Sequence, residues 1–171
     1  MQPFPLPSAL FLAALALFGC AGAPPPRVPT YAMGDRIELG RLVYTVFETR
    51  WLPQIGDGPA ARVPQNRFFL IRLSVGKKGS ADLLVPDMAI EDDRGMAYPA
   101  LSDGEGVAQF LGVLHPVTAE GAAGTALFDA PPGHYRLRLS DEEGQRTALV
   151  DIPLSFGSEL PEIPAANAGQ K

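Results

Sequence analysis

Arg67-Phe68-Phe69-Leu70-Ile71-Arg72-Leu73-Ser74-Val75 is the stretch whose reading decides the fold. Phe69, Ile71, Leu73 and Val75 alternate with Phe68, Leu70, Arg72 and Ser74. Successive side chains of a strand point to opposite faces, so this period of two sets the first group on a core face. Aromatic and β-branched residues suit such a pleated, half-buried surface. No window of the chain sustains a helical period.

Outward from this strand the same grammar repeats. Upstream, residues 34–40 read as a short edge strand and turn. Residues 41–51 follow as a strand, with Val43, Phe47 and Trp51 expected to face inward. A loop rich in Gly, Pro and Ala spans 53–64. Downstream, Gly76-Lys77-Lys78-Gly79 turns the chain into a strand over 83–91, with Leu84, Met88 and Ile90 inward. Asp92-Asp93-Arg94-Gly95 is a hairpin turn before the return over 96–101. Residues 102–123 are irregular, anchored by Phe110, Leu111, Val113 and Leu114. A strand over 125–130 stops at Pro131-Pro132-Gly133. Then Tyr135, Leu137 and Leu139 point in while His134, Arg136 and Arg138 point out. Residues 146–154 return with Ala148, Val150, Ile152 and Leu154 inward. Residues 155–171 read as a disordered tail.

Gly and Pro number 18 each in 171 residues, a composition ordinary for strands and turns and high for helices. Seven to eight short strands separated by turns predict an all-β, antiparallel β-sandwich. The antibody Cys…Trp…Cys spacing is absent and the chain has 1 cysteine, so an immunoglobulin-like variant without a disulfide fits. Its stability must come from burial, and a domain of roughly 120 residues can bury about two-thirds of its surface. The net charge of −5 lies entirely beyond residue 26. It argues against a nucleic-acid partner, which needs clustered Lys and Arg.

The single cysteine stands at the end of an apolar run, in Leu17-Phe18-Gly19-Cys20. The run over 9–18 is too short for a membrane span, which needs about 20 apolar residues. Ala21-Gly22-Ala23-Pro24-Pro25-Pro26 behind it cannot continue a helix. The stretch resembles the lipobox of bacterial lipoproteins, in which the cysteine receives a diacylglycerol and becomes the first residue of the mature chain. It differs in having Phe18 before the glycine and no Lys or Arg over residues 1–8. A plain cleaved signal and a buried free thiol are the competing readings of Cys20. The organisation expected is therefore a signal peptide over 1–19 and a lipidated Cys20 with a Pro-rich linker over 20–32. The sandwich follows over 33–154 and the tail over 155–171. Ten residues of extended polyproline-like linker reach roughly 30 Å from the lipid. The lipid implies a membrane partner and an extracytoplasmic place. Ala21, where Asp would mark inner-membrane retention, implies the outer membrane if the organism has one.

With the strands placed, further residues carry a second resemblance. They are Gly34-Asp35, the stretch 67–75 with its polar turn, Asp93-Arg94-Gly95-Met96-Ala97-Tyr98, and Gly124-Thr125-Ala126-Leu127-Phe128-Asp129-Ala130-Pro131. Their order resembles an uncharacterised bacterial lipoprotein domain related to mycobacterial secreted immunoprotective antigens. The resemblance spans about residues 33–154. It implies an immunoglobulin-like sandwich outside the cytoplasm, and it carries no catalytic residues.

Few residues invite chemistry. His115 and His134 are the only histidines, and no Gly-x-Ser-x-Gly elbow accompanies them. Met33, Met88 and Met96 are not paired closely with either histidine, as copper would want. Asp92-Asp93 and Asp103-Gly104-Glu105 lack the spacing of a calcium loop. No catalytic residue, metal or cofactor is expected. Arg136 and Arg138 share a strand face, with Arg146 on the partner strand, a stripe able to meet an acidic partner. Trp51, beside the 53–64 loop, is a candidate aromatic anchor or a core residue. The expected function is a non-enzymatic, lipid-anchored binding or structural module of the envelope, with an envelope protein as its partner. A small-ligand or metal carrier is the alternative, and an envelope hydrolase is a third reading.

Overall fold

The computed structural model describes residues 27–112 and 115–154. Residues 1–26, which hold Cys20, the stretch read as a signal and the first part of the stretch read as a linker, lie outside the described residues, as do Val113, Leu114 and the stretch 155–171. The described residues form eleven strands: β1 Thr30–Ala32, β2 Ile37–Leu39, β3 Leu42–Leu52, β4 Arg67–Lys77, β5 Leu83–Leu84, β6 Ala89–Asp92, β7 Ala97–Pro99, β8 Pro116–Val117, β9 Ala122–Ala130, β10 Tyr135–Ser140 and β11 Thr147–Ile152. Among the described residues the helical content is one 3-10 turn, Gly58–Ala60.

A five-stranded sheet runs β1-β11-β10-β6-β7 and a four-stranded sheet runs β2-β3-β4-β9, with β5 and β8 forming a small ribbon. All pairs are antiparallel except β1 with β11. The two large sheets face each other as a β-sandwich, as the strand pattern predicts. The count exceeds seven to eight because several segments are only two or three residues long. Thr30–Ala32, at the end of the stretch read as linker, pairs with Leu149–Asp151.

The core lies between the inner faces. Ile71 and Leu73 of β4, Ile90 of β6, Phe128 of β9, Leu137 and Leu139 of β10 and Val150 of β11 are fully buried there. Tyr135 enters this core with its hydroxyl donating to the Pro131 carbonyl at 2.5 Å. This local bond secures the crossing from β9 in one sheet to β10 in the other, as a tyrosine corner does. Burial pushes the Tyr135 phenol up to about 12, with Tyr98 and Asp92 adding to the shift. At the other end Tyr44 donates to the Ser140 carbonyl at 2.8 Å, tying the two sheets together.

Strand β3 departs from the expected facing. Leu42, Tyr44 and Val46 point inward, whereas Phe47 is 56% exposed. A bulge sits between Val46 and Glu48, leaving Phe47 as the extra residue opposite the Leu73–Arg72 step of β4. One inserted residue flips the facing beyond it. Trp51 therefore faces the core with Tyr44, and Val43 and Phe47 do not. The expected strand over 83–91 is likewise split, since Pro86 cannot donate to a ladder. Leu83, Val85, Met88 and Ile90 are buried and Leu84 is exposed. Leu154, expected inward, is 54% exposed beyond the end of β11.

The outer face of the four-stranded sheet is not left to solvent. Phe68 and Leu127 are buried there with Ile55, and Leu52, Leu70, Leu101, Val107 and Phe110 pack on them. Two loops form this cover. Residues 53–66 contribute Ile55 and Arg62, whose backbones pair at 2.8 and 2.9 Å. The Arg62 guanidinium lies 5.3 Å from the Phe68 ring centroid and donates to the Asp103 carbonyl at 2.9 Å. Residues 101–112 run beside β9: Thr125 N–H donates to the Gln109 carbonyl at 2.8 Å, and Leu111 N–H to the Thr125 carbonyl at 2.9 Å.

Candidate functional site

The charged face picked out by sequence lies on the outer side of the five-stranded sheet. His134, Arg136 and Arg138 follow one another along one edge of the pleat as β10 begins, flanked by β6 and β11. His134 and Arg138 meet carboxylates supplied by their neighbours. His134 Nδ1 is 2.9 Å from Asp93 Oδ1 in the β6–β7 turn, and its Nε2 is 3.0 Å from Asp151 Oδ1 of β11. The Asp93 hydrogen bond, reinforced by Asp151 against partial burial, raises the imidazole above its ordinary range. Arg138 pairs with Glu91 of β6. Arg136 stands in register with both Glu91 and Asp151, yet its buried Nε has no hydrogen-bond partner among the described residues. The stripe is thus largely neutralised within its own sheet.

Arg146 is exposed just before β11, and its amide donates to the buried carboxylate of Asp141 at 3.1 Å. Gln145 N–H donates to the same oxygen at 2.8 Å, so Asp141 closes the β10–β11 turn. The structure does not bring Arg146 beside Arg136 and Arg138: Arg138 stands opposite Leu149, and the strand pairing ends at Ser140 with Thr147. Trp51 stacks on Phe69 with ring centroids 4.2 Å apart, and Tyr135 is 6.1 Å away. It is half-buried at one end of the core.

The acidic turns are occupied locally. Asp92 Oδ1 accepts from the amides of Arg94 and Met96, and Asp103 Oδ1 from that of Glu105. His115 is exposed ahead of β8, its carbonyl accepting from Val85 N–H.

Sequence reasoning missed a cleft on the outer face of the four-stranded sheet. It holds about 180 Å³ and is lined by Glu48 and Arg50 of β3, Leu70 and Arg72 of β4, Thr125 of β9 and Val107 of the covering loop. Arg72 stands between Glu48 and Thr125 in the strand register, and Leu70 beside Arg50. Arg50 reaches Glu48 at 3.5 Å, whereas Arg72 makes no ion pair among the described residues. The wall is held in a demanding backbone state. Gln109 has φ of 51°, in the left-handed region that side chains other than glycine rarely adopt. A Cβ on Gly124 would lie 2.3 Å from the Gln109 carbonyl oxygen, so only glycine lets the loop come this close. The one signal for this site in the sequence was Phe68 and Leu70, two apolar residues on a face expected to meet water.

No protein-family model matches the chain, and no curated protein does. Solved structures do. The yjhA protein from Bacillus subtilis is similar at a TM-score of 0.55 and 14% identity, over 72% of this chain and 99% of its own. A secreted protein from Mycobacterium tuberculosis, MPT63, is similar at 0.53 and 13%, over 74% and 99%. An uncharacterised β-sandwich protein from Clostridium difficile 630 is similar at 0.51 and 9%, over 74% and 95%. At these identities the likeness is one of fold. It includes a mycobacterial secreted protein, as the resemblance of the strand pattern implied.

Proposed function

We propose that the chain is a non-enzymatic binding module held to the outside of a bacterial membrane by lipid on Cys20, with its partner in the envelope. The observation that carries this reading is polar. The chain enters the sandwich through Pro29 and β1, whose pairing with Leu149 onward sets the start of β1 at the end of the sheet that carries the β10–β11 turn. That end also holds Gly40, which lies against Glu142, and the β2–β3 turn. The 53–66 loop, the β6–β7 turn and the Pro131–Gly133 crossing lie at the opposite end, beside Leu52, Arg67, Tyr135 and Ile152. A tether at one pole leaves the loops of the other pole facing away from the lipid, the arrangement by which sandwiches present contact surface.

The histidine geometry also favours binding over hydrolysis. A general base needs one ring nitrogen for the nucleophile, and both nitrogens of His134 face carboxylates. Placement outside the cytoplasm draws support from the signal-like run over 9–18 and from the secreted protein that shares the fold. A photo-crosslinking residue installed at Val63 or Pro132, at the far pole, and at Lys78, at the near pole, tests the reading in intact cells. A discrete adduct from the far-pole positions only is expected. Equal adducts from both poles, or turnover of an envelope substrate by the purified domain, would overturn it.

A further inference from the structure

The cleft over β3, β4 and β9 has a composition that names a ligand class. Its two guanidinium groups, Arg50 and Arg72, face one carboxylate, Glu48, in a chain whose net charge is −5. Glu48 is engaged by Arg50, and Arg72 makes no ion pair among the described residues. The surplus in the cleft is therefore a single positive charge. A guanidinium presents parallel N–H donors that match a carboxylate in a two-point fork. Beside it lie an apolar floor, Leu70, and an apolar wall, Val107.

The wall is built rather than incidental. Both backbone groups of Thr125 are committed to residues 109–111, and Gly104 lies so close beneath Phe110 that a Cβ would fall 2.0 Å from its ring. Gln109 completes the loop at a positive φ, 51°. Backbone strain of this kind concentrates at binding and switching sites. The strained residue and both close-approach glycines belong to the loop and strand that line the cleft.

We propose that this cleft binds a small organic monocarboxylate, with Arg72 holding the carboxylate and Leu70 and Val107 contacting the apolar body. The proposal goes beyond the binding-module reading, since the cleft lies on a sheet face apart from the far-pole loops, and it concerns the sandwich whether or not Cys20 carries lipid. Glu48 at the rim disfavours a dianion such as phosphate, and the single surplus charge matches one carboxylate.

Benzoate titrated into the ¹⁵N-labelled protein, followed through the amides of Leu70, Arg72 and Thr125, tests this. Saturable shifts at those amides are expected, with benzamide and inorganic phosphate each at least about tenfold weaker. Arg72→Gln, an exposed substitution, should weaken benzoate by about tenfold or more while leaving the Trp51 emission unchanged. Shifts that stay linear in benzoate, equal shifts with benzamide or phosphate, or undiminished binding by the Arg72→Gln protein would each overturn the proposal. None of these results bears on the far-pole crosslinks, so failure of the cleft and failure of the binding-module reading are read separately.

Discussion

His134 Nε2 lies 3.0 Å from Asp151 Oδ1, and the same ring reaches Asp93 Oδ1 at 2.9 Å through Nδ1. One imidazole thereby joins the start of β10 to β11 and to the β6–β7 turn. When protonated, both of its nitrogens donate to carboxylates.

This sets the alkaline limb of stability. The folded His134 titrates above its ordinary 6.5, so its contribution is complete below 6.5 and is lost as pH rises through the folded value. The acid limb draws on Glu38, lowered by its hydrogen bond from Lys78, and most of all on Glu142. Its carboxylate accepts from the Arg41 side chain at 2.7 Å and from the Arg41 amide at 3.0 Å, which lower it from 4.5 to about 2. That contribution is complete above 4.5 and is lost as pH falls toward 2. Urea midpoints should therefore plateau between pH 4.5 and 6.5 and decline on either side. His134→Asn should flatten the alkaline decline and leave the acid one. An unchanged alkaline slope in that variant would show that the carboxylate clamp contributes nothing.

Gly124 and Gln109 make opposite predictions about one contact. Gly124→Ala forces its Cβ against the Gln109 carbonyl, where 2.3 Å is available, and both groups are backbone-linked. It should cost about 2 kcal/mol of stability and detach the 101–112 loop. Gln109→Gly removes a side chain from φ of 51° and should stabilise by about 0.5 kcal/mol, the relief of left-handed strain less the extra entropy of glycine. Denaturant unfolding measures both. A destabilising Gln109→Gly would mean that its side chain holds the loop by a contact worth more than the strain.

Trp51 is a packing residue by its surroundings, stacked on Phe69 with Tyr135 behind it. Trp51→Ala should cost about 3 kcal/mol, and the emission of the wild-type indole should shift to the red on unfolding. A variant of unchanged stability that loses the crosslinked partner would instead make Trp51 a contact anchor.

Sequence pattern carried the sandwich because its inner faces obey a strict period of two, seen in Phe69-x-Ile71-x-Leu73 and Tyr135-x-Leu137-x-Leu139. It failed on β3, where nothing in Val43–Trp51 announces the bulge at Phe47 that reverses the facing. Alternation reports which residues share a face, not where a ladder gains a residue. The cleft was illegible for a related reason. Arg50, Arg72 and Thr125 are far apart in the chain and meet only through the β3-β4-β9 register, and the folding of the 101–112 loop beside β9 adds Val107. The covering itself was written in Phe68 and Leu70, which would be costly to leave wet. The arginine stripe was legible as a face, but its charge balance depends on Glu91 and Asp151 from other strands and on Asp93 from the β6–β7 turn.

We propose that an acylated thiol at Cys20 tethers this sandwich outside the cytoplasm. Growth with an alkyne-tagged palmitate, followed by click detection of the purified chain, tests it most directly. Label is expected on the wild-type protein in the membrane fraction, with an unlabelled, higher-mass Cys20→Ser chain that retains residues 1–19. A wild-type chain without label, or a Cys20→Ser chain labelled equally, would contradict it.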